Sequence, residues 1–142
     1  MFELDSRLAN DCALVTDLPL CRVLLMKDAN YPWLILVPRI AGVKEIIELS
    51  THQQSELYLE SNRVSRCLQQ LFSPDKLNIA ALGNVVSQLH IHHIARFTSD
   101  AAWPKPVWGT VPATAYSDQA LNERIALIKQ GLETNYDYDH HQ

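Results

Sequence analysis

Between Ala13 and Val37 the chain alternates short apolar stretches with turn formers. Ala13-Leu14-Val15-Thr16 leads into Asp17-Leu18-Pro19, and Cys21 to Met26 into Asp28-Ala29-Asn30-Tyr31-Pro32. Trp33 to Val37 then closes on Pro38-Arg39. Short β-prone runs joined by Asp, Asn and Pro predict antiparallel strands. The third run is apolar on both faces, as a strand covered on both sides would be. Ahead of them, Leu4 to Asp11 predicts a short helix with Asp5 or Ser6 as its cap.

The period then changes. Ser50-Thr51-His52-Gln53 has the form of a capping box. Leu57, Val64, Leu68 and Leu71 follow at helical spacing, with Glu56, Glu60, Arg63 and Arg66 on other faces. One long helix over residues 51–72 is expected, stopped by Ser73-Pro74, with a shorter helical turn within Val43 to Leu49. Two further strands are predicted, Lys76 to Leu82 and Val85 to Phe97, separated by Gly83-Asn84. Trp103 to Gly109 holds too many prolines for a regular element, and Asp118 to Leu132 reads as an amphipathic helix. The fold class is α+β: an antiparallel sheet with one long helix packed across it, plus a C-terminal helix. Residues 1–134 form a single domain, and Asn135 to Gln142 a polar tail expected to fray.

Composition narrows the function. A chain of 142 residues, 47% of them hydrophobic, suits one domain with an ordinary core. Trp33 to Val37, the longest apolar run, falls far short of the roughly 20 residues of a membrane helix. Acids at Glu3 and Asp5 stand where a secretory signal carries bases, so a soluble cytoplasmic protein is expected. A net charge of −4 argues against a nucleic-acid-binding surface but allows small phosphorylated ligands. Cys12, Cys21 and Cys67 are odd in number and lack C-x-x-C spacing, which reads as reduced, partly buried thiols.

The segment richest in chemistry is Gln88-Leu89-His90-Ile91-His92-His93-Ile94-Ala95-Arg96. In a strand, Gln88, His90 and His92 share one face, and Leu89, Ile91 and His93 the other. Leu89 and Ile91 look like core packing, so the first face is the candidate ligand face. A row of two imidazoles and an amide is costly to bury without polar partners. Neutral imidazole keeps one ring nitrogen unprotonated near pH 7 and so can act as a nucleophile toward phosphorus. The H-x-H spacing also occurs in metal sites.

This segment resembles the histidine triad (HIT) signature, His-φ-His-φ-His-φ-φ. The likeness extends over residues 20–96: a hairpin with an aspartate, an apolar strand ending Val37-Pro38-Arg39, a long helix, then Asn78 and Gly83-Asn84 ahead of the motif. Trp103-Pro104 is similar to the Trp-Pro ending of one purine-nucleotide branch. The resemblance implies a HIT-like fold and a homodimer that acts on a small-molecule nucleotide, with no cofactor and no essential metal. His90 matches the middle histidine, which attacks the α-phosphate to form a nucleotidyl-histidine. His92 matches the third, which contacts the same phosphate. Asp28 falls where the ribose hydroxyls are bound, and Asn78, Gly83 and Asn84 where phosphate is contacted. Substrates of the class would be a dinucleoside polyphosphate, a nucleoside phosphoramidate or a related ester.

The chain departs from the pattern in three places. Gln88 stands in the first triad position and cannot carry a proton charge. There it is expected to orient the His90 ring or the phosphate. Val85 occupies a position where a hydroxyl commonly helps the phosphate, and Ala95 replaces the usual Pro or Gly. These changes leave a competing reading, a nucleotide-binding module with weak catalysis. A metal site built from His90 and His92 is the remaining alternative. Elsewhere His93 reads as a structural histidine, His52 as surface, and His140 and His141 as part of the tail. Arg39 and Arg96 read as surface or salt-bridged, with contact to phosphate as the alternative. Trp103 and Trp108 read as cover for the sheet, with contact to a ligand or a neighbouring subunit as the alternative. Asp28, Asn78 and Asn84 also have ordinary roles open to them as turn or strand-end residues.

Overall fold

In the computed structural model the backbone is described for residues 1–140 and the side chains for residues 1–134. A short helix α1 (Ser6–Asp11) leads into strands β1 (Cys12–Asp17), β2 (Cys21–Met26) and β3 (Trp33–Pro38). A 3-10 turn (Ile46–Glu48) precedes helix α2 (Thr51–Phe72), and strands β4 (Lys76–Ala80) and β5 (Ile91–Arg96) precede helix α3 (Asp118–His140). The strands form one antiparallel sheet in the order β1-β2-β3-β5-β4. The expected α+β architecture, with a long helix across an antiparallel sheet and a C-terminal helix, is the observed one.

Local chemistry sets the limits of α2. Ser50 Oγ accepts from the Gln53 amide at 3.1 Å while Gln53 Oε1 accepts from the Ser50 amide at 2.8 Å, closing the capping box. At the far end Ser73 turns into the left-handed region at φ 47°, and its amide donates to the Gln69 carbonyl at 3.0 Å. One face of the sheet packs Val23, Leu34, Leu36 and Ala95 against Leu57, Val64 and Leu68 of α2, with Ile128 and Leu132 of α3 in the same core. Gly131 allows the two helices this approach, because a Cβ there would stand 2.8 Å from Cys67 Sγ. The opposite face packs Leu24, Trp33, Ile35, Val37 and Ile94 against Leu8 of α1 and Val107 of the proline-rich segment.

The structure corrects several expectations. The strand expected over Val85 to Phe97 begins only at Ile91. Pairing with β3 ends at Leu36↔Ile91, although Val37 and Pro38 go on pairing with β2 along the other edge of that strand. Leu89 donates to the Val43 carbonyl rather than to a neighbouring strand. Glu60 and Arg63, expected on faces of α2 other than the apolar one, are buried. The Glu60 carboxylate accepts from the amides of Leu20 and Cys21 at 2.8 Å each, which closes the β1–β2 turn onto the helix. Arg63 Nη2 donates to the Leu132 carbonyl at 3.0 Å. Helix α3 runs to His140, past its expected end at Leu132 and through most of the expected tail. Residues 141 and 142, including His141, lie outside the described residues. All three cysteines are free and buried, and burial pushes the thiols of Cys12 and Cys67 up to about 12.

Candidate active site

Neighbouring residues of β5 project to opposite faces of the sheet, and this separates two adjacent histidines. His93 points toward α2. Its Nδ1 donates to the Ile91 carbonyl at 3.1 Å, and its Nε2 accepts from the Ser61 hydroxyl at 2.8 Å. Both ring nitrogens are thereby engaged inside the fold, and burial lowers the pKa of His93 to about 4. His92 points to the other face, where the indole N–H of Trp33 donates to its Nδ1 at 3.0 Å. An indole only donates, so Nδ1 is the acceptor and the neutral ring carries its proton on Nε2. Burial, reinforced by the neighbouring His90 and His93, lowers the pKa of His92 to about 4.

His90 sits one residue before β5, its ring centroid 5.0 Å from that of His92. The His90 Nδ1 lies 2.7 Å from the Gln88 carbonyl oxygen. A carbonyl only accepts, so Nδ1 carries the proton and the lone pair is on Nε2. Among the described residues, neither Nε2 of His90 nor Nε2 of His92 has a hydrogen-bond partner. The two rings thus present a lone pair and an N–H side by side.

Both histidines line a cavity of about 590 Å³, together with Gly83, Asn84 and Val85 of the loop after β4. Gly83 supports that loop with φ +79°, a conformation that favours glycine. Arg7 and Asp11 of α1 and the indole of Trp108 line the same space. Trp108 packs edge-on against His92, with centroids 5.0 Å apart, and against Trp33 at 5.9 Å. Beyond Trp108 a second cavity of about 450 Å³ is lined by Asp28 and Lys27, and it shares Asp11, Met26 and Trp108 with the first.

Of the residues expected at the site, His90, His92, Gly83 and Asn84 come together. Asp28 belongs to the adjoining cavity, where its Oδ1 also accepts from the amides of Asn30 at 3.0 Å and Thr114 at 3.2 Å. Asn78 faces elsewhere: its Oδ1 accepts from Arg96 Nη1 at 2.7 Å. Gln88 does not share a strand face with His90. Its Oε1 accepts from the Asp5 amide and its Nε2 donates to the Glu3 carbonyl, both at 2.9 Å. The His90 ring donates to the main-chain carbonyl of Gln88, and Gln88 and His90 also line a smaller cavity together with Gly83.

Arg96 is salt-bridged and buried, as half of its reading anticipated. It meets Asp100 at 2.8 and 3.1 Å and the Lys105 carbonyl at 2.8 Å, between the rings of Tyr31 and Trp103. Burial disfavours the Asp100 carboxylate. The Arg96 guanidinium and the amides of Phe97, Ala102 and Trp103 outweigh this and hold its pKa at about 2. This network folds the proline-rich segment, with its cis Trp103–Pro104 bond, back over the sheet. Trp108, expected as cover for the sheet or as a ligand contact, lines the cavity, whereas no local motif marks Trp33 and Arg7.

Among the described residues no group of three or more His, Cys, Asp or Glu comes together as a metal-binding set. Nor is any described helix long and apolar enough to cross a membrane. The HIT domain family model matches residues 7–99. A histidine triad protein from Bradyrhizobium japonicum is 50% identical, with a TM-score of 0.90 over 92% of this chain and 98% of that one. One from Marinobacter aquaeolei is 47% identical, with a TM-score of 0.91 over 94% and 98% of the two chains. A third, from Sinorhizobium meliloti, is 42% identical, with a TM-score of 0.89 over 92% and 96%. No curated protein matches the chain. With the family match across most of the fold and these likenesses over nearly its whole length, the chain belongs to the histidine triad family.

Proposed function

We propose that this protein binds a nucleotide across the two joined cavities and cleaves it at the α-phosphate through His90. The observation that carries this reading is the 2.7 Å contact between His90 Nδ1 and the Gln88 carbonyl, which leaves the Nε2 lone pair beside the cavity. Nε2 attacks the α-phosphorus and forms a P–N bond. The bond from phosphorus to the leaving group breaks, and that group departs with the electron pair and gains a proton from solvent. Water then attacks the same phosphorus. The P–N bond breaks, its electrons return to Nε2, one proton of the water passes to solvent, and the mononucleotide is released. His92, neutral with its proton on Nε2, donates to a phosphate oxygen. The amides of Gly83 and Asn84 line the phosphate side, and Asp28 is available to ribose hydroxyls through the second cavity.

A second reading keeps the binding and drops the catalysis. It is favoured by one observation, that the Gln88 side chain is tied to Glu3 and Asp5 at both its nitrogen and its oxygen and, as an amide, cannot supply the proton charge of a histidine in its place. A homodimer suits the exposed apolar set on α2 and β4, formed by Tyr58, Leu59 and Ile79. A cytoplasmic location suits the three free, buried thiols.

The test is incubation of the pure protein with adenosine phosphoramidate, a fluorogenic adenylate ester, and diadenosine tri- and tetraphosphate. His90→Ala is run alongside, with intact mass read for a nucleotide adduct. Turnover and an adduct that both vanish in His90→Ala are expected. Nucleotide binding without turnover or adduct moves the conclusion to the binding module.

A further inference from the structure

The Gln88 side chain, standing in the first triad position, is spent on the N-terminal segment, and that segment carries a cation into the cavity. Both ends of the amide are used at once: its oxygen accepts from the Asp5 amide and its nitrogen donates to the Glu3 carbonyl. Asp5 in turn caps α1, its Oδ1 accepting from the Arg7 amide at 2.8 Å. Leu8, on the following residue, is buried in the core of the same sheet face. The backbone of Arg7 is therefore fixed from both sides. Its guanidinium is not: Arg7 is exposed and makes no side-chain hydrogen bond or ion pair among the described residues. Arg7 is also the one lysine or arginine among the residues described as lining the histidine cavity.

We propose that α1 is a substrate-binding element in which Arg7 binds the phosphate chain beyond the α-phosphate, so that an anionic leaving group is preferred to a neutral one. This rests on the nucleotide-cleaving reading above. The pairing of a guanidinium with phosphate oxygens is charge-assisted and often bidentate. The remainder of the cavity offers no comparable charge. The one carboxylate on its wall, Asp11, stands one turn further along α1 and also lines the Asp28 cavity, whereas Arg7 lines the histidine cavity alone. Helix α1 thus carries its acid toward the nucleoside end and its cation toward the leaving-group end. The Lys27 ammonium at the nucleoside end donates to the Asn10 carbonyl, whereas the Arg7 guanidinium has no partner of its own among the described residues, a polarity that fits a polyphosphate running away from the nucleoside.

Arg7→Ala, Arg7→Lys and Gln88→Ala are compared with the wild type on diadenosine tetraphosphate and adenosine phosphoramidate. The ratio of the two kcat/KM values is expected to fall about tenfold or more in Arg7→Ala, mostly through KM, and less in Arg7→Lys. Gln88→Ala frees the segment and is expected to lower the same ratio. Binding is read separately by calorimetry with AMP and ATP in the His90→Ala background, with and without Arg7→Ala. There the preference for ATP over AMP is expected to shrink with loss of Arg7. If both ratios are unchanged while nucleotides still bind, the role of Arg7 is overturned and the nucleotide reading survives. If His90→Ala binds neither nucleotide and the wild type turns over neither substrate, both fall together.

Discussion

The two faces of the sheet bury comparable numbers of polar groups and treat them differently. On the α2 face the chain answers its own polar atoms: Glu60 with two amides, Arg63 with a carbonyl, His93 with a hydroxyl and a carbonyl. On the opposite face Arg96 is answered in the same way, by Asp100, Asn78 and Lys105. His90 and His92 are answered at one nitrogen each. Burial alone therefore does not mark the site, since all three histidines are buried. What marks it is the ring nitrogen that the fold has left for something else.

Exchanging roles across β5 gives the sharpest test of that contrast. His90→Asn is expected to lower kcat by roughly 10³-fold or more with only a small change in melting temperature, because it removes the nucleophile and, of structural contacts, the Gln88 carbonyl hydrogen bond and the ring contact with His92. His93→Asn is expected to do the reverse, costing about 1–3 kcal/mol in urea unfolding while kcat at a permissive temperature stays within a few-fold. If His93→Asn abolishes turnover in a folded protein, the division between the faces is wrong. Next in size is Asp100→Ala, which leaves the Arg96 guanidinium buried without its carboxylate. A loss of about 3–5 kcal/mol is expected, measured by the same unfolding.

Protonation reaches both faces. His92 and His93 have folded-state pKa values of about 4, against about 6.5 for an unfolded histidine. Between those values the unfolded chain binds more protons than the folded one. Stability present above pH 6.5 is therefore lost as pH falls toward 4, by on the order of 3 kcal/mol for each ring at most. Urea midpoints at pH 7 and pH 4.5 should differ accordingly, and His93→Asn should reduce that slope by about half whatever it does to absolute stability. An equally steep slope in His93→Asn would mean that other groups carry it.

Elements whose signals are local were legible in the sequence. The Ser50–Gln53 capping box, the turn formers between the first strands and the all-buried β3 follow from residues within a few positions of one another. The site was half legible for the same reason. His90 and His92 lie two apart, and the alternation of β5 put His92 and His93 on opposite faces. Extending that alternation back to Gln88 failed, because the β3–β5 ladder stops at Leu36↔Ile91 and the Leu89 amide turns to the Val43 carbonyl, a partner held in a different part of the chain. Glu60 and Arg63 were misread in the same way: a helical wheel cannot show that the Leu20–Cys21 turn and α3 will cover its polar side. Arg7 and Trp108 reach the cavity across separations that no motif spans.

Trp33 is the smallest of these effects and the most diagnostic. Its indole N–H to His92 Nδ1, across 59 positions of sequence, is the contact that makes His92 a donor at Nε2. Trp33→Phe keeps an aromatic ring in the core and deletes the N–H. The His92 ring can then move its proton to Nδ1, and Nε2 would meet a phosphate oxygen with a lone pair instead of a hydrogen. A fall in kcat/KM of about tenfold is expected, the scale of one hydrogen bond to a charged group. Some stability will be lost as well, since Trp33 is buried, so activity alone does not decide the matter. The ¹⁵N shifts of the His92 ring do: they should report the Nε2–H tautomer in the wild type and a mixture in Trp33→Phe. If the variant keeps the wild-type tautomer, Trp33 is packing only, and the difference between His92 and His93 must come from what the cavity holds rather than from what the fold donates.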